Sequence, residues 1–145
     1  MHRTLTVLIG VAIAASAGAQ TAPSIWDGVY TEAQAARGAD GFAGHCASCH
    51  GAGLGGTGEA PALAGAHFLS DFDGLTLGDL FDRIRTSMPQ DNPGSLTREQ
   101  YADILAYILK ANAVPAGTRE LDRRSEYLKA IGFTAADPRA GAPRP

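Results

Sequence analysis

The sequence predicts an all-α domain with long loops, and three observations carry that prediction. No stretch of useful length alternates apolar and polar residues, so strands are not expected. Three segments instead place apolar residues at helical spacing, each behind a threonine that suits a helix start. The connections between them concentrate glycine and proline. A chain of 145 residues suits one domain, and no internal repeat is present.

The first helix is expected behind Thr31 as N-cap and runs to about Ala43, with Glu32 near the positive end of its dipole. Gly38, Phe42 and Cys46 fall on one face of it. A glycine inside a helix costs about 1 kcal/mol against alanine, so Gly38 implies that another helix must approach closely. Ala52 to Pro61, with Gly53, Gly55, Gly56 and Gly58, reads as an irregular loop. The second helix starts at Thr76, whose spacing to Asp79 forms a capping box, and carries the stripe Leu77, Leu80, Phe81 and Ile84. Pro89 disfavours helical geometry at Met88, so the helix ends just before it. Asp91 to Gly94 is a turn. The third helix opens on a Thr97–Gln100 capping box, carries Tyr101, Ile104, Leu105 and Ile108 on one face, and ends near Asn112. Within Arg119 to Phe133, the spacing of Leu121, Ser125, Leu128 and Ile131 predicts a weak amphipathic helix. The Pro/Ala/Gly-rich end from Asp137 to Pro145 predicts disorder.

Charge and composition narrow the function. Twelve basic residues against 15 acidic ones give a net charge of −3, and no long basic run exists, which argues against a dedicated nucleic-acid binder. Alanine supplies 27 residues and glycine 18, leaving little side-chain volume for a core. Something besides side chains is expected to fill it. At the start, Arg3 precedes the apolar stretch Leu5 to Ala15, and Ala17-Gly18-Ala19 gives the small–x–small pattern of a secretory cleavage site. The apolar stretch falls well short of the ~20 residues that cross a bilayer. Residues 1–19 are therefore expected to be a signal peptide that sends the chain to the periplasm, with an uncleaved tether as the alternative.

Cys46-Ala47-Ser48-Cys49-His50 carries the chemistry. Two thiols at this spacing, followed at once by histidine, suit covalent attachment of one haem c: Cys46 and Cys49 form thioethers and His50 is presented to the iron. An exported CxxC also suits a dithiol–disulfide site, but no βαβ pattern surrounds this one. A zinc site wants four protein ligands, and only His45 and His67 could supplement the motif. Haem would also supply the missing core. For the iron's other face, a methionine thioether suits low-spin iron and favours the ferrous state. Met88 is the one methionine outside the signal segment. The alternative is that Met88 only packs in the core. His45 is tied to the proximal side by its place beside Cys46, and His67 reads as a surface histidine.

These residues resemble a class I, single-haem cytochrome c of the bacterial periplasmic type. The resemblance runs from about Tyr30 to Ala113. It rests on Gly38 and Phe42, Cys46 to His50, Pro61-Ala62-Leu63, Thr86-Ser87-Met88-Pro89 and the helix Tyr101 to Leu109. It implies three main helices and long loops wrapped around one covalent haem, with His50 and Met88 on the iron. It also implies that the Pro61 carbonyl accepts from the proximal histidine, and that Gly38 meets the Ile104–Tyr107 region. Relatives commonly carry a tryptophan near a haem propionate where this chain has Phe72. Arg83 and Arg85 could offset propionate charge, though solvated positions are their commoner fate. The expected organisation is a signal peptide at 1–19, an N-terminal extension at 20–29, a haem domain at 30–113 and a C-terminal extension at 114–145. The implied function is one-electron transfer, without catalysis or small-molecule substrate, between a donor dehydrogenase and an acceptor oxidase or reductase. The alternatives are a fixed subunit of a dehydrogenase complex, its C-terminal extension serving as the dock, and a haem sensor or enzyme with a displaceable sixth ligand.

Overall fold

The structure, a computed structural model, describes residues 22–58 and 60–140. The expected signal segment and the last five residues lie outside them. Among the described residues no β-strand occurs, and no helix is long and apolar enough to cross a membrane. Within the described residues, six helices follow a single 3-10 turn at Ile25–Asp27: α1 (Glu32–His45), α2 (Ala47–His50), α3 (Ala66–Asp71), α4 (Leu77–Ser87), α5 (Arg98–Ala111) and α6 (Ser125–Leu128).

The three long helices are the three expected ones, and their ends follow local chemistry. Thr31 caps α1 by accepting from the Gln34 N–H. Thr76 with Asp79, and Thr97 with Gln100, form reciprocal capping boxes at the heads of α4 and α5. Helix α4 stops at Ser87, one residue before Met88, as Pro89 requires.

Helices α1 and α5 form the main packed pair. Their crossing is set by Gly38: a Cβ built there would stand 1.8 Å from the Asp103 carbonyl oxygen and 2.9 Å from Tyr107 Cβ. No side chain fits that gap. Phe42 tilts against Tyr107 beside it, with ring centroids 5.4 Å apart, and Ile104, Leu105, Ile108 and Leu109 complete the buried seam.

The C-terminal extension departs from the expected amphipathic helix. Only Ser125–Leu128 is helical, and the rest crosses the domain as an irregular strap with turns. Long-range backbone bonds outcompete a local helix there. The Ile25 N–H donates to the Gly132 carbonyl (3.0 Å), the Leu77 N–H to Ile131 (2.9 Å) and the Phe133 N–H to Leu75 (2.8 Å). Leu121, Leu128 and Phe133 are buried in the same core as α1 and α5. The buried Gln34 amide closes two bonds on Leu121, donating to its carbonyl (3.1 Å) and accepting from its N–H (2.6 Å). Gly78 lets the strap lie on α4, since a Cβ there would come within 2.7 Å of the Lys129 nitrogen. Of the end expected to be disordered, residues 137–140 form a turn closed by an Ala140 N–H to Asp137 carbonyl bond (2.9 Å).

Candidate functional site

The Cys46–His50 segment is the corner where α1 ends. The Cys46 N–H closes α1 on the Phe42 carbonyl (2.8 Å), and the chain restarts at once as the single turn α2. Cys46 caps this turn and Cys49 lies within it, and both line the same cleft. His50 closes the turn and is 7% exposed. Burial, then the neighbouring Cys49, pushes the free Cys46 thiol up to about 11.

The glycine-rich loop folds back beneath this turn. The Gly56 N–H donates to the His50 carbonyl (2.9 Å), and the Thr57 hydroxyl donates to the Cys49 carbonyl. The loop brings the Pro61 carbonyl to 2.8 Å from His50 Nδ1. A carbonyl only accepts, so Nδ1 carries the proton and Nε2 keeps the lone pair that a metal would need. The loop is anchored from the far side by Asn112, the C-cap of α5. Its amide donates to the carbonyls of Leu63 (2.9 Å) and Ile108 (2.8 Å) and accepts from the Gly65 N–H (2.9 Å).

Met88 comes from a different part of the chain. Its N–H terminates α4 on the Ile84 carbonyl (2.9 Å), and its own carbonyl accepts from the buried Tyr101 hydroxyl (2.7 Å). Cys46, Cys49, His50, Pro61 and Met88 all line one cleft of about 1760 Å³. Leu80, Ile104 and Ile108 contribute apolar wall, and Phe68 and Phe72 form an aromatic side. His45 lines the cleft too, beside the motif. His67 does not; it is exposed and pairs with Asp71 across 3.0 Å. The two arginines part company. Arg83 is solvent-exposed yet lines the cleft, with its guanidinium 5.9 Å from the Phe72 centroid, whereas Arg85 pairs with Asp82. Among the described residues no group of three His, Cys, Asp or Glu could hold a metal ion, so the zinc alternative has no ligand cluster.

Tyr101 and Asn112 are functional supports that sequence reasoning missed. In the sequence Tyr101 shows only as part of an apolar stripe, and Asn112 only as a helix end. Their partners lie 13 residues away in one case and up to 49 in the other, so no local pattern announces them.

The residues fit a covalently attached haem. The cleft exceeds the roughly 300–1000 Å³ of ordinary small-ligand pockets. It brings two thiols on one helical turn, an imidazole with a fixed tautomer, a thioether and an apolar wall to the same space.

Comparison with known proteins agrees. Residues 33–108, more than half of the chain, match the family model described as cytochrome C oxidase, cbb3-type, subunit III. A chain in the crystal structure of the sulfane dehydrogenase SoxCD from Paracoccus pantotrophus shares the fold. Its TM-score is 0.52 at 23% identity, over 95% of this chain and 71% of that one. No curated protein matches. The cofactor is haem c, attached through Cys46 and Cys49. By fold, by motif and by the family model, the chain belongs to this family of c-type cytochromes.

Proposed function

We propose that this protein is a periplasmic electron carrier that passes single electrons from an exported dehydrogenase to a respiratory acceptor. It would hold its haem c iron between His50 and Met88. When bound, the haem supplies an iron that takes up and releases one electron. The chain's own residues hold that site.

One observation carries the reading: His50 and Met88 reach a single cleft from separate segments, and each is fixed from behind. Pro61 fixes the His50 ring and raises its basicity as a ligand. Tyr101 fixes the backbone of Met88. Two pre-set ligands leave little to rearrange when the charge changes, which suits electron transfer. They also leave no open position for a substrate, which argues against an enzyme or a gas sensor. A free carrier is favoured over a fixed subunit docked by the C-terminal extension, because Leu121, Leu128 and Phe133 are already spent on the domain's own core.

Absorption spectra of the exported protein in both redox states, followed by CO, test this. We expect haem retained after acid–acetone treatment, a low-spin spectrum indifferent to CO, and CO binding once Met88→Ala opens the sixth position. Haem lost to acid–acetone, or CO binding by the unaltered protein, overturns the reading.

A further inference from the structure

We propose that the C-terminal strap controls the redox poise of the site, acting through Phe133 as a positioning residue. The inference rests on the cleft holding haem c.

Phe133 is fully buried but does not line the cleft. It stands behind the two aromatic rings that do. Its ring centroid lies 5.8 Å from that of Phe72, at 52°, and 6.3 Å from that of Phe68, edge-on. Phe68 and Phe72 are themselves 5.2 Å apart. The three rings form one triangle, and its inner corner comes from a segment outside residues 33–108, the span that matches the family.

Backbone bonds pin Phe133 in place from both sides. Its N–H donates to the Leu75 carbonyl (2.8 Å) and its carbonyl accepts from Gly74 (3.0 Å), so the residue is stitched into the turn that follows Phe72. The N-terminal segment holds the strap from outside. Trp26 Nε1 donates to the Thr134 carbonyl (2.9 Å), and the Gly132 N–H donates to the Pro23 carbonyl (2.8 Å). Both ends of the described chain thus press Phe133 against the wall.

The physical consequence follows from charge. Oxidation adds one positive charge to the site, and a charge is poorly tolerated where water is excluded. A tightly backed aromatic wall keeps water from the Phe68–Phe72 side of the cleft, and so favours the reduced state. Removing the Phe133 ring frees Phe72, which is only partly buried, to move and admit water. That stabilises the oxidised state.

The test is a redox titration of the haem-loaded full chain, beside Phe133→Ala, Phe133→Leu and Leu121→Ala. Phe133→Leu keeps most of the side-chain volume and guards against a failure of Phe133→Ala to fold. Leu121 is a buried residue of the same strap that packs on Gln34 and lines no part of the cleft, so its variant reports loosening alone. We expect Phe133→Ala to shift the reduced-to-oxidised ratio about tenfold toward oxidised at fixed ambient potential, about 59 mV for one electron. Phe133→Leu should shift it less, in the same direction, and Leu121→Ala should leave it in place. An unchanged potential in both Phe133 variants, or an equal shift in Leu121→Ala, overturns the proposal while covalent haem remains. Wild-type protein without covalent haem fails earlier, at the spectrum, and overturns the cofactor reading together with the proposal.

Discussion

Replacing Gly38 with alanine sets two physical effects of opposite sign against each other. Helix propensity alone predicts that Gly38→Ala stabilises α1 by about 1 kcal/mol. The structure predicts the reverse. The new methyl would stand 1.8 Å from the Asp103 carbonyl oxygen and 2.5 Å from its carbon, where ordinary contacts begin near 3.5 Å. The obstacle is backbone, so no rotamer change relieves it, and α1 must move away from α5 by more than 1 Å. That displacement opens a seam holding Phe42, Leu105 and Ile108, all buried. Overpacking a closed core costs about 1–3 kcal/mol and occasionally more. Contact with backbone puts this site at the upper end, so a net loss of about 2–3 kcal/mol is expected after the propensity gain. For a domain of this size that lowers Tm by roughly 5–15 °C. The assay is denaturant unfolding of the haem-loaded protein followed by far-UV circular dichroism. Ala36→Gly on the exposed face of the same helix serves as calibration and should cost about 1 kcal/mol. A Gly38→Ala protein as stable as wild type, or more so, would refute the claim that this glycine sets the helix crossing.

Two further outcomes follow from named contacts. Tyr101→Phe removes the shorter of two bonds to the Met88 carbonyl, leaving the Gly94 N–H at 3.5 Å, so it should cost about 1 kcal/mol and give measurable CO binding where the unaltered protein is expected to show none; unaltered CO behaviour would separate Tyr101 from the positioning of Met88. Asp82 should contribute to acid lability: burial opposes its charge, but the Ser125 hydroxyl at 2.6 Å, Arg85 and Lys129 outweigh burial and hold its carboxyl below the usual carboxylate value. Its stabilisation is therefore complete above about pH 5 and is lost as the pH falls through 4 and below; limited proteolysis of the strap should rise over that range and be flatter in Asp82→Asn, and an identical acid profile in that variant would exclude it.

What the sequence disclosed was decided locally. Thr31, Thr76 and Thr97 bond to N–H groups within three residues, so their caps are visible in the one-dimensional pattern, as are the stop before Pro89 and the haem-binding corner. Gly38 could be read because a glycine inside a helix needs a reason. Helix α3 was not legible. It has six residues, no side-chain cap, and starts from Gly65 at a positive φ of 99° that only a glycine adopts easily. The strap misled for the opposite reason: its helical spacing is real, but its backbone groups are claimed by Ile25, Gly74, Leu75 and Leu77, all at least 54 residues away. The polar supports Gln34, Tyr101 and Asn112 sit among apolar helix positions, and their partners become neighbours only once the chain has folded.

Two of these supports, Tyr101 and Asn112, belong to α5 and its C-cap. One side of α5 meets α1 through Asp103 and Tyr107 at Gly38, while Ile104 and Ile108 form wall of the cleft. Near its start Tyr101 holds Met88, and at its end Asn112 holds the loop that brings Pro61 to His50. The two sides of the proposed iron site are therefore hung from opposite ends of a single rigid helix about 20 Å long, at 1.5 Å per residue. A displacement of α5 cannot relax one side and spare the other. Gly38→Ala should then disturb both loops together although it touches neither, and its haem-loaded protein should lose the indifference to CO along with stability. Lost stability with intact sixth-site protection would show that the loops hold their shape without α5.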